Sequence, residues 1–356
     1  MAGKMVAVKE LIPGAVLADA VISLSGKTLL NKDVELTTRH ISLLNTWDVQ
    51  SVFIIQGEAI QGEDSPEAEA VPPVSEPGQK LDTEGYYQFV QEYDSLVTDI
   101  AQKFDFIRKR GLVPLPPIKE TAGTICASIA DNCLAAINYL LISDYKLADY
   151  ISRHSVMVAF FAGIIARRLG WSENDIRGVA LAGLLHDVGN LSAGKAEDPR
   201  LKTHIAETAA LLRGVNGLTN DVILGVLQHR ECMDGSGFPT GVNGLKIHPF
   251  AKVIAVANTF HMKAYTDEYA NPFPVLEMLA GEMYGKLDTA VCHTFISEVK
   301  DSLLNNRIVL TDGREAEIIF FHPNGSCLPV ARTADGQIID LARRGALAIS
   351  RIALPH

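Results

Sequence analysis

Apolar residues recur at helical spacing from about residue 82 to 305, and at strand spacing before and after that stretch. Over 83–109, Tyr86, Phe89, Val90, Tyr93, Val97, Ile100 and Phe104 fall on one helical stripe, which Gly111 and Pro114 end. Residues 118–142 and 147–169 read as the next two helices. Ser172 caps a fourth that runs through LAGLLHD, Pro199 starts one carrying His204, and Thr219 caps one ending near His229. Three more are expected over about 249–265, 273–284 and 288–304.

The two ends read differently. VLADAVISLSGKTLL predicts two strands turning at Ser25-Gly26, TTRHISLLNTW a short helix, and VQSVFII a last strand. In the tail, RIVLTDG, AEIIFF and LPVARTADGQIIDL predict short strands joined by Asp-Gly turns. The expected fold is therefore mainly α, with a small N-terminal α/β unit and a short strand-rich C-terminal tail. The domain expectation is 1–56 for the small α/β unit, 57–81 for an acidic Pro/Gly-rich linker with little to bury, and 82–145 for a helical connecting region. A helical domain over 146–305 and a strand-rich extension over 306–356 complete it.

Composition narrows the class. The 356 residues exceed what one core usually serves, and 47% hydrophobic with 21% charged residues is ordinary for a globular protein. A net charge of −10 argues against a nucleic-acid partner or an anionic membrane surface, though not against a small anionic ligand beside a metal. The five cysteines, at 126, 133, 232, 292 and 327, form no CxxC pair. Cys126 and Cys133 stand seven apart on one helical face and read as reduced core thiols. No stretch reaches the ~18 apolar residues of a membrane span, and no signal-like apolar region opens the chain, so a cytoplasmic location is expected.

Polar residues on these apolar faces carry the chemistry. His154 shares a face with Val158, Phe161 and Ile165, and alone would read as a hydrogen-bonded core histidine. His186 and Asp187 end the run VALAGLL before Val188-Gly189, where two readings stand: converging metal ligands, or a helix C-cap. His204 lies on a face with Thr208 and Leu211. His229 ends VILGVLQH and opens HRECMDGSGFPTG, whose glycines and proline specify a tight loop. Imidazole and carboxylate groups are costly to bury unpaired, and a metal ion that suits both is an economical partner.

HDVGN and HRECMDGSGFP resemble the HD-GYP signalling phosphodiesterases, a branch of the HD metal-dependent phosphohydrolases, and the resemblance covers about residues 145–305. It implies an all-helical domain holding two divalent metal ions (Fe, Mn or Zn) that hydrolyses cyclic di-GMP or a related nucleotide. It further implies that His154, His186 and Asp187 hold one ion, that Asp187, His204 and His229 hold the other, and that Asp187 bridges them. Catalysis would centre on His186 and Asp187, because a two-metal site activates water and stabilises charge on phosphoryl oxygens without a Ser or Cys nucleophile. Asn190, Gly235, Gly237 and Phe238 would meet substrate. A diguanylate cyclase or other signalling protein, and a second copy of the chain, are the candidate partners.

The chain departs from that family at four positions. Arg230 stands where the family has a second histidine, and Asn258 where it has an aspartate ligand. Asn190 replaces a lysine, and Asp267 aligns with an arginine; Phe238 for tyrosine is milder. Charge-assisted phosphate contacts contribute roughly 1.5–3 kcal/mol each, so losing two is expected to cost orders of magnitude unless Arg230, Lys195 or Lys263 restores a cation. His261 is a candidate substitute ligand. Two functions therefore stand: a metal-dependent phosphohydrolase, or a catalytically degenerate domain that senses a nucleotide or docks a signalling protein.

Overall fold

The computed structural model describes residues 83–142, 150–191, 203–264, 271–282, 285–322, 326–343 and 347–353. In the N-terminal part it describes 3–12, 14–19, 21–22, 28–30, 51–55 and positions 32, 34, 36, 41 and 44. The Ser25-Gly26 turn, Lys195, Pro199, Asp267 and the 57–81 linker lie outside the described residues. The chain divides into two compact units, Met1–Ala70 and Val71–His356.

The first unit is built from paired short strands. β1 (Gly3–Ala7), which the pattern did not predict, pairs antiparallel with β4 (Ser51–Ile55), and β2 (Val21–Ile22) pairs with β3 (Thr28–Leu30). Val8, Leu17, Val21, Leu36, Leu44 and Val52 make its own core.

The second unit is mainly α. Its described helices are α1 (Thr83–Arg110), α2 (Leu115–Ile142), α3 (Tyr150–Arg168), α4 (Glu173–Leu185), α5 (Thr203–Leu212), α6 (Asn220–Leu227), α7 (Pro249–Ala264), α8 (Pro272–Glu282) and α9 (Thr289–Leu303). The predicted caps are present. Ser172 Oγ accepts from Asp175 N at 3.2 Å, and Thr219 Oγ1 accepts from Val222 N at 3.4 Å. Asp288 adds another, accepting from Ala290 N and Val291 N.

Two expectations need correction in α2. The helix breaks at Asn132 (φ −149°, ψ 61°), whose Oδ1 accepts from Ala135 N at 3.3 Å and so caps the second half afresh. Cys126 and Cys133 therefore lie on two helical segments rather than one face; both are free thiols. At 28 residues α2 is also long and apolar enough to cross a membrane, contrary to the sequence expectation. Its apolar side chains, among them Ile118, Ile125, Ile129, Ile137 and Leu140, are buried within the protein.

Helices α3 and α4 meet almost backbone to backbone. A Cβ on Gly183 would lie 2.8 Å from the Ala159 Cα, so only glycine permits the approach. The tail folds into an antiparallel sheet ordered β8 (Ile338–Asp340), β7 (Pro329–Thr333), β6 (Glu315–Phe321), β5 (Arg307–Leu310) and β9 (Ile349–Ile352). Gly313 (φ 87°) and Gly336 (φ 86°) make the two Asp-Gly turns. β9 was not predicted. Ile308, Leu310, Ile318 and Ala331 of the sheet belong to the same continuous core as the helices.

Candidate metal centre

Three helix ends and one helix interior deliver the predicted side chains to one buried point. His154 lies in the second turn of α3, His186 closes α4 with Asp187 next, His204 is the second residue of α5, and His229 follows α6 by two. All five are buried. Gly189 explains how α5 comes so near. Its missing Cβ would sit 2.1 Å from the His204 carbonyl oxygen, and its N–H donates to Thr208 Oγ1 at 3.0 Å. The HDVG turn thus packs directly on α5.

Backbone carbonyls set the ring orientations. His186 Nδ1 lies 2.7 Å from the Gly183 oxygen and His229 Nδ1 lies 2.7 Å from the Val226 oxygen. A carbonyl only accepts, so both Nδ1 atoms carry the proton and both Nε2 atoms present lone pairs to the centre. His154 Nε2 lies 3.0 Å from His186 Nε2, and a proton or a cation has to lie between them. Without a cation, His154 donates through Nε2 and accepts at Nδ1 from His261 Nδ1, 2.8 Å away. With one, the sense reverses and His154 Nδ1 donates to His261.

Asp187 stands between two histidine pairs. Its Oδ2 is 3.7 Å from His154 Nε2 and 3.5 Å from His186 Nε2, while its Oδ1 is 3.5 Å from both His204 Nε2 and His229 Nε2. One carboxylate therefore belongs to two sets, and within each set the ligand atoms all lie within 4.8 Å of one another. Oδ1 is buried with no hydrogen-bond partner, as is the side-chain oxygen of buried Asn258. Orphaned buried oxygens cost about 1–3 kcal/mol each, more when charged, and a cation among these lone pairs would satisfy them. The orphaned Oδ1 faces His204 and His229; the set His154, His186, Asp187 fits a divalent ion by its donor chemistry, two uncharged imidazoles and a carboxylate within 4.8 Å of one another.

Protonation states agree with ligation. Burial pushes His154 well below the ordinary imidazole range, with His261 and His186 adding to the effect. Burial likewise lowers His186, and holds His229 at about 4. Burial alone would raise the Asp187 carboxyl, but the imidazoles of His186, His229 and His154 outweigh it and hold it well below the usual carboxylate range. At neutral pH these imidazoles are uncharged and the carboxylate is ionised, the forms a metal requires.

The glycine loop is fixed from beneath. Gly235 takes φ 81°, and a Cβ on Gly237 would lie 2.3 Å from Cys232 N and 2.5 Å from the Arg230 oxygen. Phe238 N donates to that Arg230 oxygen at 3.1 Å, and the half-buried Phe238 ring stands edge-on to His204 at 6.4 Å between centroids. Buried Glu231 accepts from Thr240 N at 2.8 Å and Thr240 Oγ1 at 2.7 Å, a clamp that sequence reasoning missed. Half-buried Asn190 donates its backbone N–H to the Asp187 backbone carbonyl oxygen at 3.0 Å.

The remaining candidates separate. His261 is not a member of either ligand set; it meets the outer ring nitrogen of His154. Its spacing three residues after Asn258 on α7, the same helical face, was the available signal. Lys263 is exposed. Arg230 Nε donates to His229 Nε2 at 3.2 Å.

Residues 139–274 match the family model described as HD domain. The chain is 27% identical over 239 residues to a cyclic di-GMP phosphodiesterase of Pseudomonas aeruginosa, covering 60% of this chain and 56% of that protein. It is 29% identical over 167 residues to a 3'3'-cGAMP-specific phosphodiesterase of Vibrio cholerae, covering 44% of this chain and 36% of that protein. A solved HDG"Y"P protein from Bdellovibrio bacteriovorus matches with TM-score 0.49 and 16% identity, over 83% of this chain and 98% of that one. The chain spans about half or less of the length of these curated relatives.

Proposed function

We propose that this chain, whose residues 139–274 match the HD domain family model, is a metal-dependent phosphodiesterase of the HD-GYP kind for a cyclic dinucleotide, cyclic di-GMP foremost. The observation that carries the reading is Asp187, buried and ionised, with its two oxygens turned to separate histidine pairs. His154 and His186 complete the set that would hold a divalent ion (Fe, Mn or Zn). Such an ion supplies Lewis acidity toward phosphoryl oxygens and ionises water at neutral pH.

The chain's own groups do the rest. His186 and Asp187 fix the reacting centre, with Gly183 and His261 holding ring orientation from behind. Asn190 and Phe238, both half-buried beside the cluster, are the proposed contacts to the nucleotide, and Gly235 and Gly237 shape the loop that carries Phe238. The names of the relatives, phosphodiesterases for cyclic di-GMP and for cGAMP, support a substrate of this class. A cytoplasmic location suits the five free cysteines. A diguanylate cyclase or a second copy of the chain remains a proposed partner.

The test is metal content and cyclic di-GMP turnover on one preparation, loaded anaerobically with Fe(II) or Mn(II). Turnover is expected, with Asp187→Asn lowering it on the order of a hundredfold or more through loss of bound metal. A folded protein that takes up metal yet hydrolyses neither cyclic di-GMP nor cGAMP would favour the second reading, a sensing or docking module. The Arg230 contact to His229 is the observation behind that second reading.

A further inference from the structure

We infer that Arg230 takes up the metal-facing nitrogen of His229, so that the chain binds one metal ion, at His154, His186 and Asp187, rather than two. The inference rests on the reading of this cluster as a metal centre. His229 gives its Nδ1 proton to the Val226 carbonyl, so its only lone pair is on Nε2, 3.5 Å from Asp187 Oδ1. Arg230 Nε–H donates to that same lone pair at 3.2 Å. One nitrogen cannot serve a guanidinium and a metal together. With His229 taken, the second set retains His204 and Asp187, fewer than the three protein ligands usual for a held ion.

The guanidinium is not a passing occupant. It cannot lose its charge at any ordinary pH. Its backbone is held by the Phe238 N–H bonded to the Arg230 oxygen and by Gly237 packed against residues 230–232. Arg230 is half-buried, and one of its guanidinium nitrogens is buried without a hydrogen-bond partner.

Charge balance points the same way. Asp187 is the one carboxylate shared by the two ligand sets among the described residues, and Asn258 is neutral. One divalent ion with Arg230 sets three positive charges against one negative, and a second ion would make five against one. A single ion beside a fixed guanidinium still presents two cations to an anion. The buried guanidinium nitrogen that lacks a partner is the donor we assign to a phosphoryl oxygen.

The experiment loads the full chain and its Arg230→His and Arg230→Gln variants anaerobically with excess Mn(II). Elemental analysis after desalting and electron paramagnetic resonance are the readouts. The wild type is expected to hold about one equivalent with the signal of isolated Mn(II), and Arg230→His about two with an exchange-coupled signal. Two equivalents in the wild type would overturn the inference while leaving the metal reading intact. One equivalent in a folded Arg230→His variant would also overturn it, with circular dichroism melts as the folding control. If that variant misfolds, wild-type stoichiometry decides alongside Arg230→Gln: the loaded wild type is expected to retain inorganic phosphate, and Arg230→Gln to keep one ion but lose that retention. No metal in any form would sink the metal reading itself, and this inference with it.

Discussion

Single residues here are set by what their polar atoms can reach. The buried imidazoles of His229 and His261 are held near 4 and near 3, chiefly by burial, against an ordinary value of 6.5. Both pKa values are depressed, so neither contributes to pH dependence above about 6.5. As pH falls below that, the unfolded chain takes up protons that the folded chain refuses. Each imidazole then removes about 1.4 kcal/mol of stability per pH unit, down to its folded value. From these two rings, chelator-treated protein is thus expected to lose about 2 kcal/mol of unfolding free energy between pH 6.5 and 5.5, measured by urea melts. A flat profile over that window would mean that these rings are not buried neutral. His261 was legible only as a spare ligand; its contact with the outer nitrogen of His154 depends on two helices distant in sequence meeting, which no local pattern encodes.

At the scale of elements, periodicity and caps carried far. The stripe from Tyr86 to Phe104 and the caps at Ser172 and Thr219 are local signals, and the helices stand where those signals put them. What failed was nonlocal. β1 and β9 are short strands whose identity comes from pairing with β4 and β5, and the α2 break at Asn132 trades one helix for a fresh cap. The cluster itself was readable because its residues come in motif-sized pieces, HD and HRE…DGSGFP, while the contacts that aim it come from glycines. Gly189→Ala tests this. The added methyl would meet the backbone of α5, which cannot yield as a side-chain tip would, so the turn and α5 must separate. The variant is expected to lose about 2–4 kcal/mol of stability and most of its metal affinity, read by thermal melts and metal titration. Unchanged binding would show that α5 is not placed by this contact.

The whole molecule couples its tail to its helices more closely than a strand-rich extension implies. Ile308, Leu310 and Ile318 are buried in the core that α2 and α9 help to form. Polar links cross the same boundary. Buried Asn138 of α2 donates to the Ser302 oxygen at 3.3 Å and accepts from Asn306, while Asn271 donates to the Ile349 oxygen at 3.1 Å. Full burial of an aliphatic side chain contributes about 1.5–3 kcal/mol, so exposing several at once approaches the 5–15 kcal/mol that holds a domain folded. Ending the chain at residue 305 is therefore expected to yield insoluble or molten protein, although every member of the His/Asp cluster lies before that point. Removal of residues 1–70 is the contrasting case, because that unit has a core of its own with no residue in common with the helical one. The shortened protein is expected to keep a cooperative melt and its bound metal. A soluble, cooperative 71–305 fragment would show instead that the sheet is an appendage, and that the helices alone carry enough buried surface to hold the centre together.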